Sequence, residues 1–167
     1  MLEQAMDDYT QYLLRIGYYY TKDINRSRDL VQEVFIQLYY SNYHEQGQLK
    51  AYLGRLMRNR CIDYLRSWSH RMLVLQHSFT FEPPLKHTDP LVEYEERTLL
   101  EEAVLSLKIK LREVIVYYYL ENMTTKEIAT LLHTPESTIK TRLQKARTLL
   151  KKKLQHIEWE VLLDEII

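Results

Sequence analysis

The sequence predicts an all-α protein made of two small helical domains joined by a flexible linker. Three observations lead there. Only 3 Gly and 4 Pro are spread through 167 residues rich in Leu, Lys, Glu, Gln and Arg, so helix is the lowest-cost backbone state over most of the chain. Apolar residues recur at three- and four-residue spacing in several separate segments. Pro83, Pro84 and Pro90 fall together in a stretch that lacks this periodicity.

In chain order, Leu30, Val31, Val34, Phe35 and Leu38 form an apolar stripe opposite Asp29, Gln32, Glu33 and Gln37, which predicts an amphipathic helix. A polar break from Ser41 to Gln48 follows. Leu49, Leu53, Leu56, Met57 and Leu65 then mark a second long helix, inside which Gly54 costs about 1 kcal/mol relative to Ala. The proline-bearing segment from Gln76 to Leu91 reads as a linker. The expected division is a domain over 1–75, a linker over 76–95, a domain over 96–157 and an acidic tail over 158–167.

The second domain is punctuated sharply. Thr124 and Glu127 have capping-box spacing, which starts a helix at Thr125 that ends near Leu132. Thr134-Pro135-Glu136 predicts another start, with Thr134 as N-cap, Pro135 as the first helical residue and an acid favoured by the helix dipole. Its stripe of Ile139, Leu143, Ala146 and Leu150 turns Glu136, Ser137, Lys140, Thr141, Gln144 and Lys145 outward.

Several classes are excluded. The longest apolar run, Val114 to Leu120, is far shorter than the about 20 residues a spanning helix needs. The amino terminus, with Glu3, Asp7 and Asp8, lacks a secretory signal, so a cytoplasmic location is expected. Cys61 stands alone and reads as a small buried hydrophobe. There is no Gly-rich phosphate loop, and the 6 histidines lack metal-ligand spacing, so no catalytic residue, metal or cofactor is expected.

The net charge of zero hides a partition. Residues 106–155 carry 11 basic against 4 acidic residues, and residues 50–71 carry six against Asp63 alone, whereas 76–105 and 156–167 are acidic. Two separated basic islands suggest polyanion contact. Two helices joined by a short turn, the second exposing short polar and basic side chains at its start, fit a helix-turn-helix that enters the major groove. They also fit an ordinary helical hairpin with a solvated face, and spacing alone leaves both open. A dimeric repressor would leave the first basic island without a role.

Two motifs, in order, resemble the bacterial sigma-70 family of transcription initiation factors, specifically its extracytoplasmic-function (ECF) group. Asp29-Leu30-Val31-Gln32-Glu33-Val34-Phe35 with Tyr52-Leu53 and Arg58-Asn59-Arg60-Cys61-Ile62-Asp63-Tyr64-Leu65-Arg66 is similar to a sigma-2 domain. Arg112-Glu113-Val114, Lys126-Glu127-Ile128-Ala129 and Pro135-Glu136-Ser137-Thr138-Ile139-Lys140-Thr141-Arg142-Leu143 are similar to a sigma-4 helix-turn-helix domain.

The resemblance implies a factor that binds RNA polymerase core, through the beta-prime clamp helices and the beta flap, and directs it to promoter DNA. Asp29, Gln32, Glu33 and Gln37 would dock on the clamp. Lys50, Tyr52, Arg55, Arg58, Asn59, Arg60 and Asp63 would recognise and melt the minus-10 element, with Asn59 at a position that reads an extruded base and the Ser41–Gln48 loop setting its identity. Lys126, Glu136, Ser137, Thr138, Lys140, Thr141, Arg142 and Lys145 would read the minus-35 element. An anti-sigma factor is an implied partner.

The 14 tyrosines, clustered at Tyr18 to Tyr20, Tyr39-Tyr40 and Tyr117 to Tyr119, are assigned mainly to packing, with Tyr52 on the DNA side. Departures from the family pattern are Arg26 and Arg28 before the clamp motif, Lys108 where proline is common, and Asn122 and His133 where glycine is usual. Lys108 predicts a softer helix break, and Asn122 and His133 predict left-handed turns at some cost.

Overall fold

The structure, a computed structural model, describes residues 2–41, 43, 48–76 and 95–155. Seven α-helices and no strand are present among them. Helix α1 (Leu2–Thr21) passes through Lys22 at φ 61 into Asp23, whose Oδ1 accepts the N–H groups of Asn25 at 2.9 Å and Arg26 at 3.1 Å. These are donors that a helix start leaves without partners, so α2 (Ile24–Tyr40) begins there. Helix α3 spans Leu49–Gln76.

The stripes meet as the periodicity predicts. Leu13 and Ile16 from α1, Leu30, Val34 and Leu38 from α2, and Leu53, Met57 and Cys61 from α3 are all at most 1% exposed. Gly17 and Gly54 permit the close approaches in this bundle. A Cβ on Gly17 would lie 2.9 Å from Ser27 Cβ, and one on Gly54 would lie 2.4 Å from Tyr12 Oη. The helix-propensity cost of Gly54 is thus offset by the Tyr12 ring lying against α3.

In the second half, α4 (Glu95–Leu105) is followed by α5 (Ile109–Ile115), which widens into a π-helical turn over Val116–Leu120. Lys108 takes φ −60 and ψ 143, the φ a proline ring would impose, so the break is kept without proline. Arg112 secures it, donating to the carbonyls of Leu105 and Leu107 at 2.9 Å each.

Helices α6 (Thr125–Leu131) and α7 (Glu136–Lys153) form the helix-turn-helix. The Thr124–Glu127 capping box is present in both directions. Asn122 and His133 take φ 51 and 47, the left-handed turns expected of them. One expectation is corrected, because Pro135, not Thr134, stands at the N-cap of α7. The Thr134 hydroxyl donates to Leu132 O at 3.0 Å within the turn, and Thr134 itself lies one residue before the cap position. Pro135 O instead accepts from Thr138 N and Ile139 N.

The two halves are docked, α1 against α5 and α3 against α6, with their apolar residues in one continuous core. The predicted linker falls largely on 77–94 and the acidic tail on 156–167, both outside the described residues, as is most of the Ser41–Gln48 loop.

Candidate nucleic-acid interface

Helical geometry sorts the α3 residues into three directions. Tyr52, Arg55, Asn59, Asp63 and Arg66 follow one another at three- and four-residue steps on one stripe. Asn59, Asp63 and Arg66 are exposed, while Tyr52 is half-buried and stacks on Tyr43 with ring centroids 4.7 Å apart. An exposed Asn beside cations can offer donor and acceptor to a base edge. Arg60 turns toward α2, where it lies 3.7 Å from Glu33 and donates to Gln37 at 3.0 Å. Lys50 and Arg58 turn toward the second half of the chain.

On α2, Asp29 and Gln32 are exposed, and Glu33 and Gln37 are half-buried through their contacts with Arg60. Ile36 (57% exposed) and Tyr40 (79%) lie seven and eleven positions after Asp29, on the same stripe. They extend the predicted polar face with apolar surface. That spacing was available in the sequence, but the amphipathic pattern assigns such residues to the core by default.

On α7, the buried stripe is the expected one, since Ile139, Leu143, Ala146 and Leu150 are at most 4% exposed. Ser137, Lys140, Thr141 and Lys145 are exposed, as is Lys126 on α6. Glu136 and Thr138 are half-buried. The Glu136 carboxylate accepts from Thr125 Oγ1 at 2.7 Å and pairs with Lys140 Nζ at 3.1 Å, which ties the start of α7 to α6. These two bonds, Thr125 first, hold its carboxyl below the usual range. Arg142 departs from this open face, because its Nη1 lies 3.8 Å from Glu113 Oε1 and its side chain is only 21% exposed.

Glu113 is the hub of a seam between the halves. Its buried carboxylate accepts from Tyr20 Oη at 2.5 Å and from Arg58 Nε at 3.2 Å, in addition to facing Arg142. Glu121, also buried, accepts from Arg15 Nε at 2.6 Å and has Lys50 Nζ at 4.0 Å. Burial outweighs both cations and raises the Glu121 carboxyl above its ordinary value. Tyr18 donates to Glu101, and Arg112 donates to Tyr19 O at 2.8 Å. Burial also pushes the Tyr19 phenol up to about 12, so every tyrosine of this cluster is neutral near pH 7.

Sequence reading assigned no role to Arg15, Glu113 or Glu121, since their partners stand 29 to 106 positions apart and leave no local pattern. Beside the seam lies a cleft of about 530 Å³, into which Tyr12, Lys50, Arg55, Lys126 and Glu121 project.

Comparison with known proteins gives matches in both halves of the chain. Residues 5–71 match the family model for Sigma-70 region 2, and residues 97–150 match that for Sigma-70, region 4. The chain is 26% identical over 141 residues to the probable RNA polymerase sigma factor RfaY of Xanthomonas campestris pv. campestris; the match covers 80% of this chain and 35% of that protein. It is 24% identical over 164 residues to the ECF RNA polymerase sigma factor SigW of Bacillus subtilis, covering 91% of this chain and 88% of that one. In fold it is similar to the sigma factor RpoE crystallised with the anti-sigma factor NepR from Bartonella quintana. There the TM-score is 0.72 at 20% identity, and 92% and 96% of the two chains are covered.

Proposed function

The chain belongs to the sigma-70 family of RNA polymerase sigma factors, in its extracytoplasmic-function group, and from that premise we propose how its surfaces divide the work of initiation. The protein is a transcription initiation factor that directs RNA polymerase core to promoters. The exposed stripe of α2, from Asp29 and Gln32 through Ile36 to Tyr40, docks on the clamp helices of the polymerase. Glu33 and Gln37 help to shape this surface through Arg60.

The α3 stripe of Tyr52, Arg55, Asn59 and Asp63 receives the melted minus-10 strand. Unstacking a base costs a few kcal/mol, which hydrogen bonds to the exposed base edge and stacking at about 1 to 3 kcal/mol per base can recover. Lys50, Arg58 and Arg60 flank this stripe and contact the phosphates. At the upstream element, Ser137, Thr138, Lys140, Thr141 and Lys145 of α7 enter the major groove near Glu136, with Lys126 of α6 on the backbone. Arg142 supports α7 from behind through Glu113. No catalytic step, metal or cofactor is assigned to the chain, which works in the cytoplasm where the polymerase is, and an anti-sigma protein restrains it.

The observation that carries this reading is the pairing, in one chain, of an exposed Asn59 stripe on a basic helix with a capped helix-turn-helix whose second helix exposes Ser137, Lys140 and Thr141. Transcription with purified polymerase core over a genomic template library tests it. Start sites that share two spaced sequence elements and appear only when the chain is added are expected; core-independent duplex binding with no new start sites would refute it.

A further inference from the structure

The cleft of about 530 Å³ and the acidic tail have no part in the division of work above, and their chemistries match. Tyr12 lines the cleft from α1, Lys50 and Arg55 from the start of α3, and Met123, Lys126 and Leu131 from α6 and its approach. Its two carboxylates are already satisfied, because Glu121 accepts from Arg15 at 2.6 Å and Glu127 is held in the Thr124 capping box. Lys50 is engaged as well, 4.0 Å from Glu121 and over the Tyr12 ring at 4.7 Å. Arg55 and Lys126 have no salt bridge among the described residues, so the cleft presents two uncompensated cations next to Met123 and Leu131.

Residues 158–167 carry Glu158, Glu160, Asp164 and Glu165 and no basic residue, interspersed with Trp159, Val161, Leu162, Leu163, Ile166 and Ile167. Such a segment complements a cleft whose spare charges are positive and whose remaining wall is apolar. The linker is the poorer complement, since Pro83, Pro84 and Pro90 interrupt it and it carries Lys86 among its acids. The tail is also long enough. Helix α7 has a length of about 27 Å, and its first residue, Glu136, is bonded to Thr125 beside Lys126. Running back along α7 from Leu154, the eight residues 155–162 cover about 27 Å when extended, which leaves residues 163–167 to meet the cleft.

We propose that residues 163–167 dock in this cleft in the free chain. Asp164 and Glu165 there face Arg55 and Lys126, and Leu163 and Ile166 cover Met123 and Leu131. The segment thereby competes with DNA for one cation of each proposed DNA face. That competition rests on the roles proposed above for α3 and α6, whereas the docking itself does not.

The test uses the unaltered full chain and a carbodiimide, which condenses a carboxylate with a lysine amine only where the two touch. Mass spectrometry of the cross-linked monomer should find Asp164 or Glu165 joined to Lys126 or Lys50, and salt at about 0.5 M should remove most of these links. Links from these acids confined to Lys151, Lys152 and Lys153 or to cross-linked dimers would overturn the proposal, as would Lys126 joined instead to Glu82, Asp89 or Glu93 of the linker. In a second arm, Asp164→Asn/Glu165→Gln in the full chain should raise affinity for a labelled single-stranded DNA of about 16 nucleotides about fivefold. Glu158→Gln/Glu160→Gln removes the same charge from the connecting stretch and should change that affinity less than about twofold. An equal rise in the two variants would overturn the proposed competition. Failure of the initiation reading would show separately, as no core-dependent transcripts with the cross-links still in place.

Discussion

Replacing Arg112 by Met probes the junction on which both halves depend. The guanidinium is 6% exposed and donates to Tyr19 O at 2.8 Å and to Leu105 O and Leu107 O at 2.9 Å each, with Tyr20 O at a longer 3.5 Å. These carbonyls lie at the carboxy-terminal ends of α1 and α4, where helix dipoles favour a cation. Three bonds to a charged donor at about 1.5 kcal/mol each give about 4.5 kcal/mol. Part of that is returned because burial disfavours the cation, whose pKa is lowered by desolvation, and because Met fills the space of the aliphatic stem. A net loss of about 3 kcal/mol is expected, which with an m-value of about 2 kcal/mol/M moves the urea midpoint down by about 1.5 M. Arg112→Lys keeps the charge but not the fork, and should lose about half as much. A midpoint shift below about 0.3 M for the Met variant, at unchanged m, would refute the assignment of Arg112 as the cap of both helix ends.

Further outcomes follow from other contacts. Gly17→Ala gains up to about 1 kcal/mol of helix propensity but drives a Cβ to 2.9 Å from the fully buried Ser27 Cβ, so thermal unfolding should show a net loss of about 1 kcal/mol. Glu127 is held below its ordinary value of 4.5 by the Thr124 backbone N–H and then its hydroxyl. Because the folded value is the lower one, its contribution is present above about pH 4.5 and is lost as pH falls through the folded value; protection of the Thr124 amide proton, measured against its intrinsic exchange rate at each pH, should fall over that interval, and Glu127→Gln should flatten the profile. Lys140→Ala should weaken upstream promoter binding by the holoenzyme and reduce the salt slope by about 1, with unaltered slope counting against a phosphate contact. Asn59→Ala should change base preference or opening at the downstream element and leave binding to polymerase core intact.

Much of the fold is legible one segment at a time, because the determinants are local. The stripe of Leu30, Val34 and Leu38 and that of Ile139, Leu143 and Leu150 are spaced by helix geometry and are buried as that spacing requires. The Thr124–Glu127 box closes within four residues and appears as read. The Thr134 cap fails for an equally local reason, since its hydroxyl turns back onto the Leu132 carbonyl and the helix starts one residue later, behind Pro135. At the candidate interface, exposure of Asn59, Ser137 and Lys140 follows from their positions opposite buried stripes.

Amino-acid order by itself determined where helices start, which faces are apolar and that two basic helical domains follow one another, because each depends on residues within a few turns. Only the tertiary structure decided which cations are free. Arg58 and Arg142 look alike as members of basic runs, yet both converge on the buried carboxylate of Glu113, while Asn59 and Lys140, one and two positions away, face solvent. A helix turns 100° per residue, so neighbours in sequence point in different directions. What meets them depends on how the two halves dock, and that is set by side chains a hundred residues apart.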